Sequence, residues 1–274
     1  MTALMLGPLV IPLNLLPWLA ALTGALLVAM WRRRRGKVDV EPLLWWWVLA
    51  GMLGARIGFV AIYWQQYLAD WTSIFDIRDG GWWWPGALIG AALAAVSMWR
   101  FQPALRQAGA HWELARVGTA SMLSALPVLA VVMMLQPERF LLPELSVYQL
   151  SGEPVALASV TGKELTVVNL WATWCPPCRR EMPVLQQAQD DYPEVRFLLA
   201  NQGESAASVR QFLLSQELHF DHLYLDPHSD LGKAMSSSAL PTTLLVGPDG
   251  EVLRHHVGPL SAATLRHFIE QPSH

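Results

Sequence analysis

Four long apolar runs constrain this chain more than any other feature. They fall at residues 9–31, 43–64, 83–99 and 117–135, and each is close to the ~20 residues a helix needs to cross a hydrocarbon core. With 53% hydrophobic residues, fourteen tryptophans and only 15% charged residues, the chain is too apolar for an ordinary soluble enzyme of 274 residues. The apolar runs stop near Leu135, and from Glu138 onward the composition is that of a mixed α/β domain. The expected organisation is an α-helical membrane domain of about four transmembrane helices at 1–137 and a soluble α/β domain at 138–274.

Charge fixes the expected orientation. Counting Lys and Arg alone, the loops between successive runs carry five (Arg32–Arg35 and Lys37), one (Arg78) and three (Arg100, Arg106, Arg116), so the first and third loops face the cytoplasm. No basic residue precedes the first run, which therefore reads as an anchor rather than a cleaved signal peptide; Pro12 and Pro17 leave its outer boundary open. Both termini then face the periplasm, which makes this a multi-pass bacterial inner-membrane protein. No nucleic-acid partner is expected.

The two cysteines of the chain are Cys175 and Cys178, in Trp174-Cys175-Pro176-Pro177-Cys178, where a β-branched run gives way to a helical pattern. A C-x-x-C at such a junction sets the first sulfur at a helix N-terminus, where unpaired N–H groups and the helix dipole stabilise a thiolate. Cys175 is the expected nucleophile and Cys178, one turn on, the resolving thiol. The competing readings are a zinc site and a structural disulfide. Zinc would need two more ligands, with only scattered histidines such as His219, His222, His255 and His256 on offer, and so short a loop constrains the unfolded chain little. The reading is a redox-active disulfide with no metal and no other cofactor, accessible at Cys175 and shielded at Cys178.

The segment Val167-Val168-Asn169-Leu170-Trp171-Ala172-Thr173-Trp174-Cys175-Pro176-Pro177-Cys178, with Glu181 and Pro183 behind it, resembles the active site of TlpA/ResA-type membrane-tethered thioredoxin-like proteins. Gly203-Glu204 with the helical stretch 208–216 resembles that branch's insertion, and Leu240-Pro241-Thr242-Thr243 resembles its cis-proline loop. The resemblance covers about residues 140–270. It implies a thioredoxin-like fold and a disulfide reductase whose substrates are disulfide-bearing periplasmic proteins, with electrons from a membrane carrier of the DsbD/CcdA type. Cys175, Cys178, Glu181 and Pro241 would be catalytic, and Trp174, Pro176, Pro177 and Leu240 would line the substrate site. Glu181 has two readings: a proton acceptor with a raised pKa, or a solvated glutamate of the first helical turns. Pro241 is either cis, exposing backbone to a substrate strand, or an ordinary trans turn proline. An oxidase or isomerase of the same fold is the alternative function, because two prolines between the cysteines do not fix a potential.

Strands are expected at 145–148 and 155–157 as an opening hairpin, then at 166–170, 194–200, 223–226, 242–247 and 251–257, with a last helix at 261–270. Strands alternating with helices and closing in a terminal hairpin make an α/β sandwich.

The membrane half carries a second resemblance. Gly54-Ala55-Arg56-Ile57-Gly58, Ile74-Phe75, Gly80-Gly81 and Gly86-Ala87-Leu88-Ile89-Gly90, with Ala115-Arg116-Val117-Gly118, are similar in order and spacing to part of prolipoprotein diacylglyceryl transferase, over residues 40–125. That family's functional histidine, asparagine and glutamate correspond here to Pro85, Thr119 and Ser124, so lipid transfer is not expected. Gly54 with Gly58 and Gly86 with Gly90 have the spacing of close helix packing, and the tryptophan triplets at 45–47 and 82–84 fall where an interfacial belt would lie. Arg56, inside a span, either pairs with Asp70 or Asp76 or binds a lipid phosphate, and Arg116 is a second candidate for such a polar membrane site. Membrane lipids are the corresponding partners, and a lipid- or partner-binding membrane module is the non-enzymatic alternative.

The basic loops generate a direct test. A reporter active only outside the cytoplasm should work when fused after His274, and a cytoplasmic reporter there should be silent.

Overall fold

The computed structural model describes residues 3–6, 9–37, 39–68, 71–101, 110–135, 141–161, 164–235, 237 and 239–271. Two compact units emerge, residues 1–64 with 81–137, and residues 65–80 with 138–274.

The first unit is helical. A two-stranded hairpin, β1 (Ala3–Leu6) and β2 (Leu9–Pro12), precedes α1 (Leu16–Arg34), which is followed by α2 (Glu41–Ile62), α4 (Trp84–Phe101) and α5 (Ala110–Leu135). The short α3 (Trp64–Tyr67) begins the connection between α2 and α4. The outer boundary of the first apolar run, left open by Pro12 and Pro17, falls well inside it: its opening residues form β2, and α1 starts with Pro17 in its first turn. A proline there has a missing N–H with no intrahelical partner to lose. The last helix instead starts before its apolar run, at Ala110, and holds Pro127 in its interior. Among the described residues, Glu41–Ile62 and Trp112–Met134 are long and apolar enough to cross a membrane. Large apolar side chains such as Leu53, Leu93 and Leu123 point outward, 62%, 66% and 73% exposed.

Glycines decide how these helices meet. A Cβ on Gly54 would run into the carbonyl oxygen of Gly86, one on Gly86 would meet the backbone of Gly54, and one on Gly90 would meet the carbonyl of Ala50. Gly58 receives the ring of Trp83 rather than a second backbone, so the middle tryptophan of that triplet is a packing residue. Gly24 of α1 lies against Ser124 of α5, and Arg32 is ion-paired to Glu113 between the same two helices.

The second unit holds a seven-stranded sheet in the order β4-β3-β7-β6-β5-β8-β9, formed by β3 (Ser146–Tyr148), β4 (Pro154–Ala156), β5 (Thr166–Trp171), β6 (Arg196–Gln202), β7 (His222–Asp226), β8 (Thr242–Val246) and β9 (Val252–Val257). β5, β6 and β7 run parallel, while β8 and β9 are antiparallel to their neighbours. The helices are α6 (Leu157–Thr161), α7 (Pro176–Asp191), α8 (Ala206–Ser215), α9 (Asp230–Ala234) and α10 (Ala262–Glu270). The period of two along β5 splits its side chains between two cores. Val167 and Trp171 join Phe197 and Leu199 beneath α7, α8 and α10, whereas Val168 and Leu170 join Leu198, Ala200 and Leu244 beneath α6 and α9. All six residues of β5 are buried, as a central strand covered on both faces demands. Leu157 opens a helix instead of ending the first hairpin.

Gly54→Val should force α2 and α4 apart, at a cost of about 1–3 kcal/mol from overpacking. Thermal loss of helicity in detergent micelles should show a lowered midpoint for this variant, and no comparable change for Gly118→Ala, where an added Cβ meets nothing within 4 Å.

Candidate functional site

The site begins where β5 runs out and α7 starts. Cys175 is the N-cap of α7, in extended geometry (φ −88°, ψ 107°), with Pro176 and Pro177 as the first two helical residues. Prolines lack an N–H, so two of the four donors that a helix start normally leaves unsatisfied are missing here. Of the other two, the Cys178 N–H donates to Cys175 Sγ at 3.3 Å and the Cys175 N–H donates to the Ala172 carbonyl at 3.2 Å. The prolines thus concentrate the electrostatics of the helix start on one N–H aimed at one sulfur.

Cys175 and Cys178 are joined as a disulfide with a Cα–Cα distance of 5.3 Å. In this oxidised form both are buried, 3% and 1% exposed, so the expected contrast between an open Cys175 and a shielded Cys178 is not present. The exposed group is Trp174 at 67%. The turn before Cys175 is braced from a distance. The Thr173 N–H donates to Glu204 Oε2 at 2.7 Å, the Thr173 hydroxyl also donates to that carboxylate, and Asn201 Nδ2 donates to it at 2.8 Å.

Leu240–Pro241 is a cis peptide. β8 starts at the next residue, and Thr242 lies opposite Leu170 in the β5–β8 ladder. Pro241 is therefore level with the end of β5 from which the Cys175 turn springs. Its carbonyl accepts from the Gly258 N–H at 2.9 Å, and Leu240 packs against both cores.

Glu181 lies in the inward stripe of α7 with Cys178, Met182, Leu185 and Ala188, and is 2% exposed. Its position three residues after Cys178 puts the two on one helix face. Asn169 Nδ2 donates to Glu181 Oε1 at 2.9 Å and to Thr243 Oγ1 at 3.0 Å, and the Leu260 N–H reaches Glu181 Oε2 at 3.4 Å. Burial pushes the Glu181 carboxyl up to about 8, against the opposing pull of the Leu260, Thr243 and Asn169 hydrogen bonds. Asn169 and Thr243 are direct cross-strand partners of β5 and β8. Thr243, Leu260, Asn201 and Glu204 escaped the sequence reading as site residues. Thr243, Leu260 and Glu204 meet Asn169, Glu181 and Thr173 across long sequence separations, which leaves no local signal.

In the helical unit, Arg56 is buried and Nη1 donates to the Gly81 carbonyl at 3.0 Å. This backbone contact was not among the expected partners, of which Asp70 lies outside the described residues. Arg116 Nη1 donates to Glu113 Oε1 at 3.0 Å, the carboxylate that also holds Arg32. Arg56 and Arg116 are not shown converging on one site.

The comparison with known proteins agrees with this division. Residues 140–255 match the AhpC/TSA family, and residues 2–126 match prolipoprotein diacylglyceryl transferase, a wider stretch than the sequence motifs suggested. Thiol-disulfide oxidoreductase ResA of Halalkalibacterium halodurans is 32% identical over 123 residues, covering 44% of this chain and 69% of the relative. The chain belongs to the ResA family of thiol–disulfide oxidoreductases. Thioredoxin-like protein YneN of Bacillus subtilis is 32% identical over 134 residues, covering 47% of this chain and 76% of that protein. The ResA of Geobacillus kaustophilus is 31% identical over 130 residues, covering 47% and 74%. In this ResA-family chain the redox domain is fused to a transferase-like helical half.

A carboxyl raised from an ordinary 4.5 to about 8 by folding binds its proton more tightly in the folded state. The stability this contributes is fully present below about pH 4.5 and is lost as pH rises through about 8. Glu181→Gln should abolish that decline, so chemical denaturation of the oxidised protein should show wild type losing stability across this window relative to the variant.

Proposed function

We propose that this protein is a multi-pass inner-membrane thiol–disulfide oxidoreductase whose periplasmic domain reduces disulfides in other proteins through Cys175 and Cys178. The observation that carries the reading is a buried, proton-holding Glu181 on the same face of α7 as Cys178, directly behind a C-x-x-C held at the helix N-terminus.

In the reduced enzyme the Cys175 thiolate, stabilised by the Cys178 N–H and the helix dipole, attacks one sulfur of a target disulfide. A mixed disulfide forms and the second target sulfur leaves as a thiolate that takes up a proton. Cys178 then gives its proton to the Glu181 carboxylate and attacks Cys175 Sγ, breaking the mixed disulfide and releasing the first target sulfur. Two electrons have passed to the target, and the enzyme is left as the Cys175–Cys178 disulfide with Glu181 protonated.

Recharging runs the same steps backward. A donor dithiol of the DsbD/CcdA type attacks Cys175, and Glu181 returns the proton to the departing Cys178 sulfur. With a pKa of about 8, roughly one Glu181 in ten is ionised at pH 7, so the oxidised enzyme is already in its proton-donating form. A group titrating near the working pH serves both directions. Trp174, Pro176, Pro177, Leu240 and Pro241 would form the surface on which the target's chain lies beside Cys175.

The apolar helices and the transferase-family match support a membrane location, and the basic loops support a periplasmic redox domain. Lipid transfer receives no such support. Pro85 replaces the histidine, and the hydroxyls of Thr119 and Ser124 are spent on the carbonyls of Arg116 and Ala120 in their own helix.

Cys178→Ser should stall the reaction after the first attack, because no neighbouring thiol remains to release the target. Cells expressing this variant should accumulate complexes that collapse on adding a reductant. The Cys175→Ser/Cys178→Ser double variant should give none, and absence of complexes from the single variant would count against the reductase.

A further inference from the structure

Residues 65–80, between α2 and α4, come from the transferase-like half of the sequence, yet they belong to the compact unit of the redox domain. Gln66, Tyr67 and the stretch from Trp71 to Gly80, two turns of 3-10 helix, pack there. A half-open chamber of about 400 Å³ lies against them, lined by Tyr67, Asp76 and Asp79 on one side and by Arg180, Glu181 and Leu260 on the other. Asp79 is buried, 2% exposed, and its Oδ2 accepts from the Ser261 hydroxyl at 2.9 Å. The neighbouring Gly80 has φ +74°, and a Cβ there would press on the ring of His256 in β9.

Ser261 is the N-cap of α10. Its Oγ accepts from the Thr264 N–H at 3.3 Å, and its own N–H donates to Thr264 Oγ1 at 2.7 Å. The residue before it, Leu260, presents the N–H that reaches Glu181 Oε2. The hydrogen-bonded path from the connection between α2 and α4 to the buried carboxyl is thus Asp79 to Ser261, one peptide back to Leu260, and on to Glu181. The charged and titratable groups lining the chamber with that carboxyl are Arg180 on α7 and Tyr67, Asp76 and Asp79 on the connection, and His256 on β9 interacts with Asp79. Asn169 and Thr243 are the neutral donors.

We propose that the connection between α2 and α4 is a working wall of the redox site, and that Asp79 is a positioning residue that acts through Ser261 and Leu260 on Glu181. The proposal rests on the proton role given to Glu181 above. It assigns a task to part of the transferase-like half without lipid chemistry. By accepting from Ser261, Asp79 fixes the start of α10 and keeps the Leu260 N–H in line with the carboxyl. Without that acceptor the N–H swings off, and the ionised form of Glu181 loses one of its three donors.

The test uses the full chain, oxidised, in detergent micelles with 13C-labelled glutamate, the Glu181 carboxyl resonance being assigned by its absence from Glu181→Gln. Asp79→Ala should raise the Glu181 titration midpoint by about half a pH unit, the effect of weakening one hydrogen bond to a charged group. Ser261→Ala, which leaves Asp79 in place and breaks the same link, should raise it similarly. Asp79→Asn, whose amide oxygen still accepts from Ser261, should keep the wild-type midpoint.

Unmoved midpoints in both alanine variants would overturn the proposal, as would an Asp79→Asn shift equal to that of Asp79→Ala, which would make charge rather than position the cause. The pH profile of disulfide reduction by dithiothreitol separates the two ideas. If Glu181→Gln keeps the wild-type profile, the proton role itself falls. If Glu181→Gln changes the profile and the alanine variants do not, only the role of Asp79 falls.

Discussion

The redox unit is organised around a carboxyl group placed where an apolar residue would ordinarily go. Glu181 occupies the inward stripe of α7 between Cys178 and Met182, and a charge there is costly unless it is paired or neutralised. The protein does some of each. Asn169, Thr243 and Leu260 supply neutral donors, and burial holds the proton on to about pH 8. Those donors come from β5, from β8 and from the residue ahead of α10, so the strand pairing and the last helix must be in place before the group can be tolerated.

Much of this was legible in the sequence, for local reasons. Strand β5 is an unbroken apolar and β-branched run ending in a tryptophan, and the C-x-x-C follows at the point where the period changes from two to that of a helix. The burial of Glu181 could also have been extracted. Positions 178, 181, 182, 185 and 188 form one helical stripe, four of them apolar or cysteine, and a carboxylate in such a stripe is buried by geometry. What the sequence could not reveal is what meets it. Thr243 faces Asn169 only through antiparallel register across a separation of 74 residues, and Glu204 reaches Thr173 from 31 residues away.

In the helical half the close packing of α2 and α4 was legible, and the start of α1 was not. Small residues at 54, 86 and 90 announce a close crossing of α2 and α4, and the backbone atoms waiting beyond each missing Cβ show why nothing larger is present. Hydropathy alone leaves the outer end of the first run open, and there Leu9–Pro12 is a strand while Pro17 sits in the first turn of α1, where its missing N–H costs no hydrogen bond. Trp83 packs its ring on Gly58, a contact that its place in a tryptophan triplet does not reveal.

The identity of residue 169 closes the electrostatic argument. An aspartate there would set a second carboxylate within hydrogen-bond reach of Glu181, and two such groups cannot both ionise in a buried site, so one proton would be shared between them and the titration would belong to the pair. Asparagine avoids this. Its Nδ2 donates at once to Glu181 Oε1 and Thr243 Oγ1, which favours the ionised carboxyl without adding charge. Its Oδ1 is buried with no partner in this arrangement, an acceptor in reserve for the acid form. A rotation of the amide would offer that oxygen to a protonated Glu181, so a single neutral side chain can satisfy the carboxyl in both of the states that a proton cycle with Cys178 requires.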